Sequence, residues 1–66
     1  MNIILNGETR AMRSDTSLSD LITELDLTNK RIAIEVNREI IPRGNFHDHE
    51  LQEGDKIEIV HAIGGG

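Results

Sequence analysis

The sequence predicts an α+β two-layer domain, with one helix packed on one face of a small sheet. Three observations predict it. Short apolar runs rich in Ile and Val bracket the chain at "NIIL" and "KIEIV". A single segment, "SLSDLITELD", switches to helical spacing, with Leu18, Leu21, Ile22 and Leu25 at i, i+3, i+4 and i+7. Between helix and last run, "RIAIEVN" alternates, with Ile32, Ile34 and Val36 on one parity and Ala33, Glu35 and Asn37 on the other. One helix covers only one face of such a sheet.

Taken in order, Asn6–Gly7 after the first run supplies the positive φ angles of a two-residue hairpin turn. "ETRAMR" then returns as a polar edge strand with Met12 as its best core candidate. Ser17 followed three residues later by Asp20 resembles a capping box, with Thr16 and Asp15 as alternative caps. The helix is expected to end between Asp26 and Asn29. "NRE" is a turn, and "EIIP" is a short strand that Pro42 ends, because proline has no N–H for a ladder. "RGNFHDHELQ" reads as irregular, with room for one short helical turn. Gly54–Asp55 makes a tight turn into the last strand, where Ile57 and Ile59 face inward. Inward-facing Ile3, Leu5, Ile57 and Ile59 leave Ile4 and Val60 on the opposite face.

Sixty-six residues make one domain, with a core small enough for stability to be marginal. The chain has no cysteine, which excludes disulfides, thiolate zinc sites and a cysteine nucleophile. Its start lacks the basic and apolar regions of a signal peptide, and no stretch approaches the roughly 20 apolar residues of a membrane span. With 12 acidic against 7 basic residues and a net charge of −5, nucleic acid is a poor partner and a basic protein surface a better one. The expected setting is cytoplasmic, without membrane contact, and the free chain is expected to be monomeric.

Catalytic constellations are missing. "HDH" at His47–Asp48–His49 has two imidazoles but no third ligand at a known metal spacing, and reads as a solvated loop. His61 reads as a strand-end histidine, and the serines at 14, 17 and 19 are explained by helix capping. The terminal "GGG" has no helix or basic residue after it, so it is no phosphate loop. It follows the apolar pair Ala62–Ile63 with no polar spacer. Ile63 to Gly66 span at most about 13–14 Å when extended. That is enough for a tail without side chains to present the Gly66 carboxylate deep inside a partner.

"RIAIEVNREIIPR", "LQEGDKIEIVHAIGGG" and the chain length together resemble the small ubiquitin-like sulfur carriers of bacterial thiamine biosynthesis (ThiS), over essentially the whole chain. The resemblance implies a β-grasp fold: a mixed sheet of four to five strands on one helix, with first and last strands parallel and central. It implies a domain at 1–63 and a flexible tail at 64–66. An E1-like adenylyltransferase spends ATP to adenylate Gly66. Sulfur from a cysteine desulfurase or another donor replaces the adenylate, and the thiocarboxylate serves thiazole synthase. The chain itself binds no cofactor or metal and is a cosubstrate, not an enzyme. Gly64 and Gly65 thread the partner's active site, and Ile4, Val60 and Ile63 dock it, together with Ile40 or Ile41. Competing readings are a molybdopterin-synthase carrier, a protein-modifying tag, and an interaction module with an inert tail.

Overall fold

The computed structural model describes residues 1–61. The tail, Ala62 with Ile63 to Gly66, lies outside the described residues, as does the boundary expected at 63/64. The elements run β1 (Asn2–Leu5), β2 (Glu8–Ala11), α1 (Leu18–Glu24), β3 (Ile32–Val36), β4 (Glu39–Ile40), a 3-10 turn (Arg43–Asn45) and β5 (Lys56–His61). The sheet order is β2-β1-β5-β3-β4. β1 and β5 are parallel neighbours in the middle, and every other pairing is antiparallel. This is a mixed five-stranded sheet, within the four to five strands that the resemblance implies.

Both hairpins close with two residues. Leu5 pairs with Glu8 across Asn6 (φ 49°) and Gly7 (φ 86°). Val36 pairs with Glu39 across Asn37 (φ 52°) and Arg38 (φ 71°). Two consecutive positive φ angles are the signature of the type I′ turn, whose twist matches the flanking strands. Asn-Gly adopts it at little cost. Arg38 carries a Cβ into the same region and is strained there.

One face of the sheet and the apolar stripe of α1 make the core. Ile3, Leu18, Leu21, Ile34 and Ile57 are fully buried, and Ile22, Val36, Ile41, Phe46, Leu51 and Ile59 complete the cluster. Leu5, Met12, Leu25 and Ile32 pack half-buried at its margin.

The start of α1 has no orphan donor. Ser17 is the N-cap and Asp20 closes the capping box: the Asp20 N–H donates to the Ser17 hydroxyl, and the Ser17 N–H donates to the Asp20 carboxylate. The N–H groups of Leu18 and Ser19 donate to the His49 and Phe46 carbonyls, and that of Leu21 to Ser17. The four donors that a helix start leaves open are thus all used, two of them to hold the irregular 42–52 segment. Arg43 pins the other side of that segment. Its guanidinium donates to the carbonyls of Thr28 and Lys30 and lies 5.7 Å from the centre of the Phe46 ring. The Ser17 backbone N–H, then its hydroxyl, hold the Asp20 carboxyl below the ordinary aspartate range. A carboxyl depressed on folding stabilises at neutral pH, and the contribution is lost as pH falls through its lowered value.

The helix ends earlier than expected, at Glu24 with Leu25 as C-cap. Asp26 takes a left-handed conformation (φ 61°). Its N–H donates to the Thr23 carbonyl, and the Leu27 N–H reaches back to Ile22. This is a Schellman motif with aspartate in the place usually held by glycine.

Three residues, Asp15 (φ 62°), Asp26 and Arg38, are therefore held in left-handed backbone without being glycine or asparagine. Arg38→Gly and Asp26→Gly each relieve that strain. Each is expected to gain about 0.5–1 kcal/mol, read as a melting temperature higher by a few degrees. Ser17→Ala is expected to cost about 1 kcal/mol by the same measurement.

Candidate functional site

Everything that leads to the glycine tail runs through β5, and three polar side chains set its position. Asp55, 8% exposed just before the strand, accepts from the Asn37 side-chain amide (2.9 Å) and from the Gln52 N–H (2.8 Å). The Asn37 amide oxygen accepts from the Lys56 N–H at 3.0 Å, and the Ile4 N–H donates to the Asp55 carbonyl. The Asp55 carboxylate thus ties the β3–β4 turn to the 52–55 turn, its main-chain carbonyl adds β1, and the Asn37 amide holds the first residue of β5. At the far end β1 is too short to accompany β5. Its register covers only Ile4↔Lys56 and Leu5↔Ile57. Where β1 turns away, the Asn6 side-chain oxygen accepts from the Ile59 N–H at 2.8 Å and stands in for the missing strand.

The face away from the helix carries Ile4 and Thr9, Lys56, Glu58 and Val60, Ala33 and Glu35, and Ile40, by cross-strand register. Val60 is 58% and Ile40 70% exposed, and these are the exposed large hydrophobics among the described residues. The choice left open between Ile40 and Ile41 falls to Ile40, since Ile41 is buried in the core. Ile4 lies on this face but is half-buried. It sits beside Lys56, four residues and about 13 Å along β5 from Val60. Glu58 lies between them on that face, so Ile4 and Val60 do not form one continuous patch. Ile63, Gly64, Gly65 and Gly66 lie outside the described residues.

Two residues were not singled out by sequence: Glu35 and Glu58, directly opposite each other on β3 and β5. Their outward parity was legible, but the register that pairs them was not.

The other candidates resolve as ordinary structure. His47 and Asp48 are exposed and 3.3 Å apart in a turn, and the His49 carbonyl caps α1. Among the described residues no cluster of three or more His, Asp or Glu is placed to hold a metal. His61 is exposed at the end of β5, opposite Ile32. No described helix is long and apolar enough to cross a membrane.

The fold and the approach to the tail can be compared with known proteins. A match to the ThiS family spans residues 3–66. The chain belongs to the ThiS family. It is 43% identical over 63 residues to the sulfur carrier protein ThiS of Bacillus subtilis, covering 94% of this chain and 96% of that one. The crystal structure of the thiamine biosynthesis protein ThiS from Geobacter metallireducens superposes with a TM-score of 0.86 at 25% identity, over the whole of both chains. The chain is also 41% identical over 66 residues to a thiazole synthase of Magnetococcus marinus, where it spans only 20% of the longer protein. The β-grasp fold is thereby established, and the family includes sulfur carrier proteins and a thiamine biosynthesis protein.

The role of Asn6 is directly testable. Asn6→Gly keeps a residue suited to φ 49° but leaves the Ile59 N–H without its protein acceptor. Amide exchange at Ile59 is expected to accelerate about five- to ten-fold, with a stability loss of about 1 kcal/mol.

Proposed function

We propose that the chain carries sulfur on the Gly66 carboxylate as a cosubstrate for partner enzymes. The observation that carries this reading is the family match running through residue 66, and so through the glycines that follow the central strand in sequence. A C-terminal carboxylate has a pKa near about 3.5, is ionised at neutral pH and is a poor acyl donor. Attack of one carboxylate oxygen on the α-phosphorus of ATP, with loss of pyrophosphate, gives an acyl adenylate with a good leaving group. Sulfide then adds at the acyl carbon and expels AMP; where the donor is a protein persulfide, its terminal sulfur adds instead to give an acyl disulfide, and a thiol reductant cleaves that S–S bond to release the thiocarboxylate. The thiocarboxylate that results holds sulfur tethered rather than free.

In this reading ATP belongs to the adenylating enzyme, and the chain binds no cofactor. Gly64 and Gly65 pass through the narrow approach to that enzyme's active site, where a Cβ would add width. Val60, with Ile4 and Ile63, contributes to docking. The sulfur comes from a cysteine desulfurase or another donor, and a thiazole synthase receives it. That some thiazole synthases contain a stretch similar to this whole chain supports the last partnership. The setting is the cytoplasm, where ATP and the partner enzymes are available.

Intact mass spectrometry with fragmentation, after incubation with ATP, an E1-like adenylating enzyme and a sulfur source, tests the reading. The expected result is one oxygen replaced by sulfur at Gly66. Removal of Gly65 and Gly66 is expected to abolish it. An unmodified terminus with a competent enzyme would leave an inert-tail interaction module as the better description. Val60→Asp is expected to keep the melting temperature within about 2 °C and to weaken adenylating-enzyme binding about ten-fold. Unchanged affinity would remove Val60 from the docking surface.

A further inference from the structure

The open sheet face holds a charge arrangement that the isolated domain does not resolve. Glu35 and Glu58 are directly opposed on adjacent antiparallel strands. That register brings the two Cβ atoms within about 5 Å, and like charges placed directly opposite are destabilising. Among the described residues neither carboxylate has an ion-pair or hydrogen-bond partner. Lys56, a cation on the same face, is two residues along β5 from Glu58 and so about 7 Å away, beside β1. On the other side the pair is bordered by apolar groups: Ile40 is the cross-strand neighbour of Glu35, and Val60, the next outward residue on β5, lies opposite Ala33. Two exposed aliphatic side chains therefore frame two unpaired carboxylates.

We propose that this face receives an arginine-bearing apolar surface of the adenylating enzyme, with the guanidinium set between Glu35 and Glu58 and aliphatic contacts made to Ile40 and Val60. The partner's identity rests on the sulfur-carrier reading; the chemistry it must offer does not. A planar guanidinium presents donors along more than one edge and can bridge two carboxylates carried on directly opposed residues, which an ammonium does less well. It also converts the repulsion in the free domain into attraction in the complex, so the pair favours the bound state twice. A second copy of this chain is a poor occupant. Face to face it would bring four carboxylates together between two molecules that each carry −5. A purely apolar partner would bury both carboxylates unpaired, which is strongly unfavourable.

The test compares the unaltered chain with Glu35→Gln, Glu58→Gln and the double variant, using the adenylating enzyme as the probe. Binding is followed by calorimetry across a range of NaCl concentrations, and adenylation by pyrophosphate release. The double variant is expected to raise KM for the carrier about ten-fold with kcat at saturation unchanged. Its binding is expected to lose most of its salt dependence. Its melting temperature is expected to rise by about 1–5 °C, because the repulsion is gone. Unchanged KM and an unchanged salt slope, with the unaltered chain still adenylated, would overturn this proposal and leave the sulfur-carrier reading intact. Loss of thiazole synthase binding with adenylating-enzyme binding intact would also overturn it, since the face would then belong to a different partner. Failure of the unaltered chain to bind the adenylating enzyme would overturn both.

Discussion

The Asn37–Asp55 contact fixes where β5 begins, and the rest of the structure depends on where β5 begins. A one-residue slip of a strand turns every side chain to the other face. Here it would send Ile57 and Ile59 to solvent and Glu58 into the core. The hydrophobic alternation resists such a slip along the strand, but the polar contacts at Lys56 specify the register at its origin. Asp55 is buried and answered by two donors, so it avoids the penalty of a buried unpaired charge and gives the start of β5 a single arrangement. Asn6 repeats the device at the other end with one hydrogen bond.

The two faces of the sheet divide the labour. The inner face is spent on stability: a chain this short has just enough Ile, Leu and Val to form one cluster around Phe46 and the three buried residues of α1. The outer face is the one proposed for recognition. It keeps Ile40 and Val60 in water and tolerates opposed carboxylates, neither of which a sheet selected only for stability would retain.

The element order, the first hairpin, the capping box and the inward parity of Ile34, Val36, Ile57 and Ile59 were legible because each rests on local periodicity or turn chemistry. The helix end was not. The expected stop between Asp26 and Asn29 assumed that helical spacing would run on, whereas Asp26 accepts a left-handed conformation without the glycine that marks such ends in sequence. The patch joining Ile4 to Val60 was drawn from parity, which assigns a face but not a position along it. The short β1 register then set the two residues about 13 Å apart. Glu35 and Glu58 escaped notice for the same reason: a cross-strand pair between residues 23 positions apart is a property of register. The choice between Ile40 and Ile41 was settled by the Ile41 N–H bonding to the Ile34 carbonyl, which turns that side chain inward.

The strand order has a consequence for how the protein is made. β5 lies between the two hairpins, β1–β2 and β3–β4, which share no ladder with each other. Until it emerges from the ribosome, the nascent chain holds two hairpins of the kind that are marginal in water on their own. Synthesis proceeds from the N-terminus, so the strand that unites the sheet is the last to arrive. A message read only partway yields a product that cannot close its core and is open to proteolysis. Any chain that passes this folding checkpoint has been translated at least to the strand that leads into the glycines.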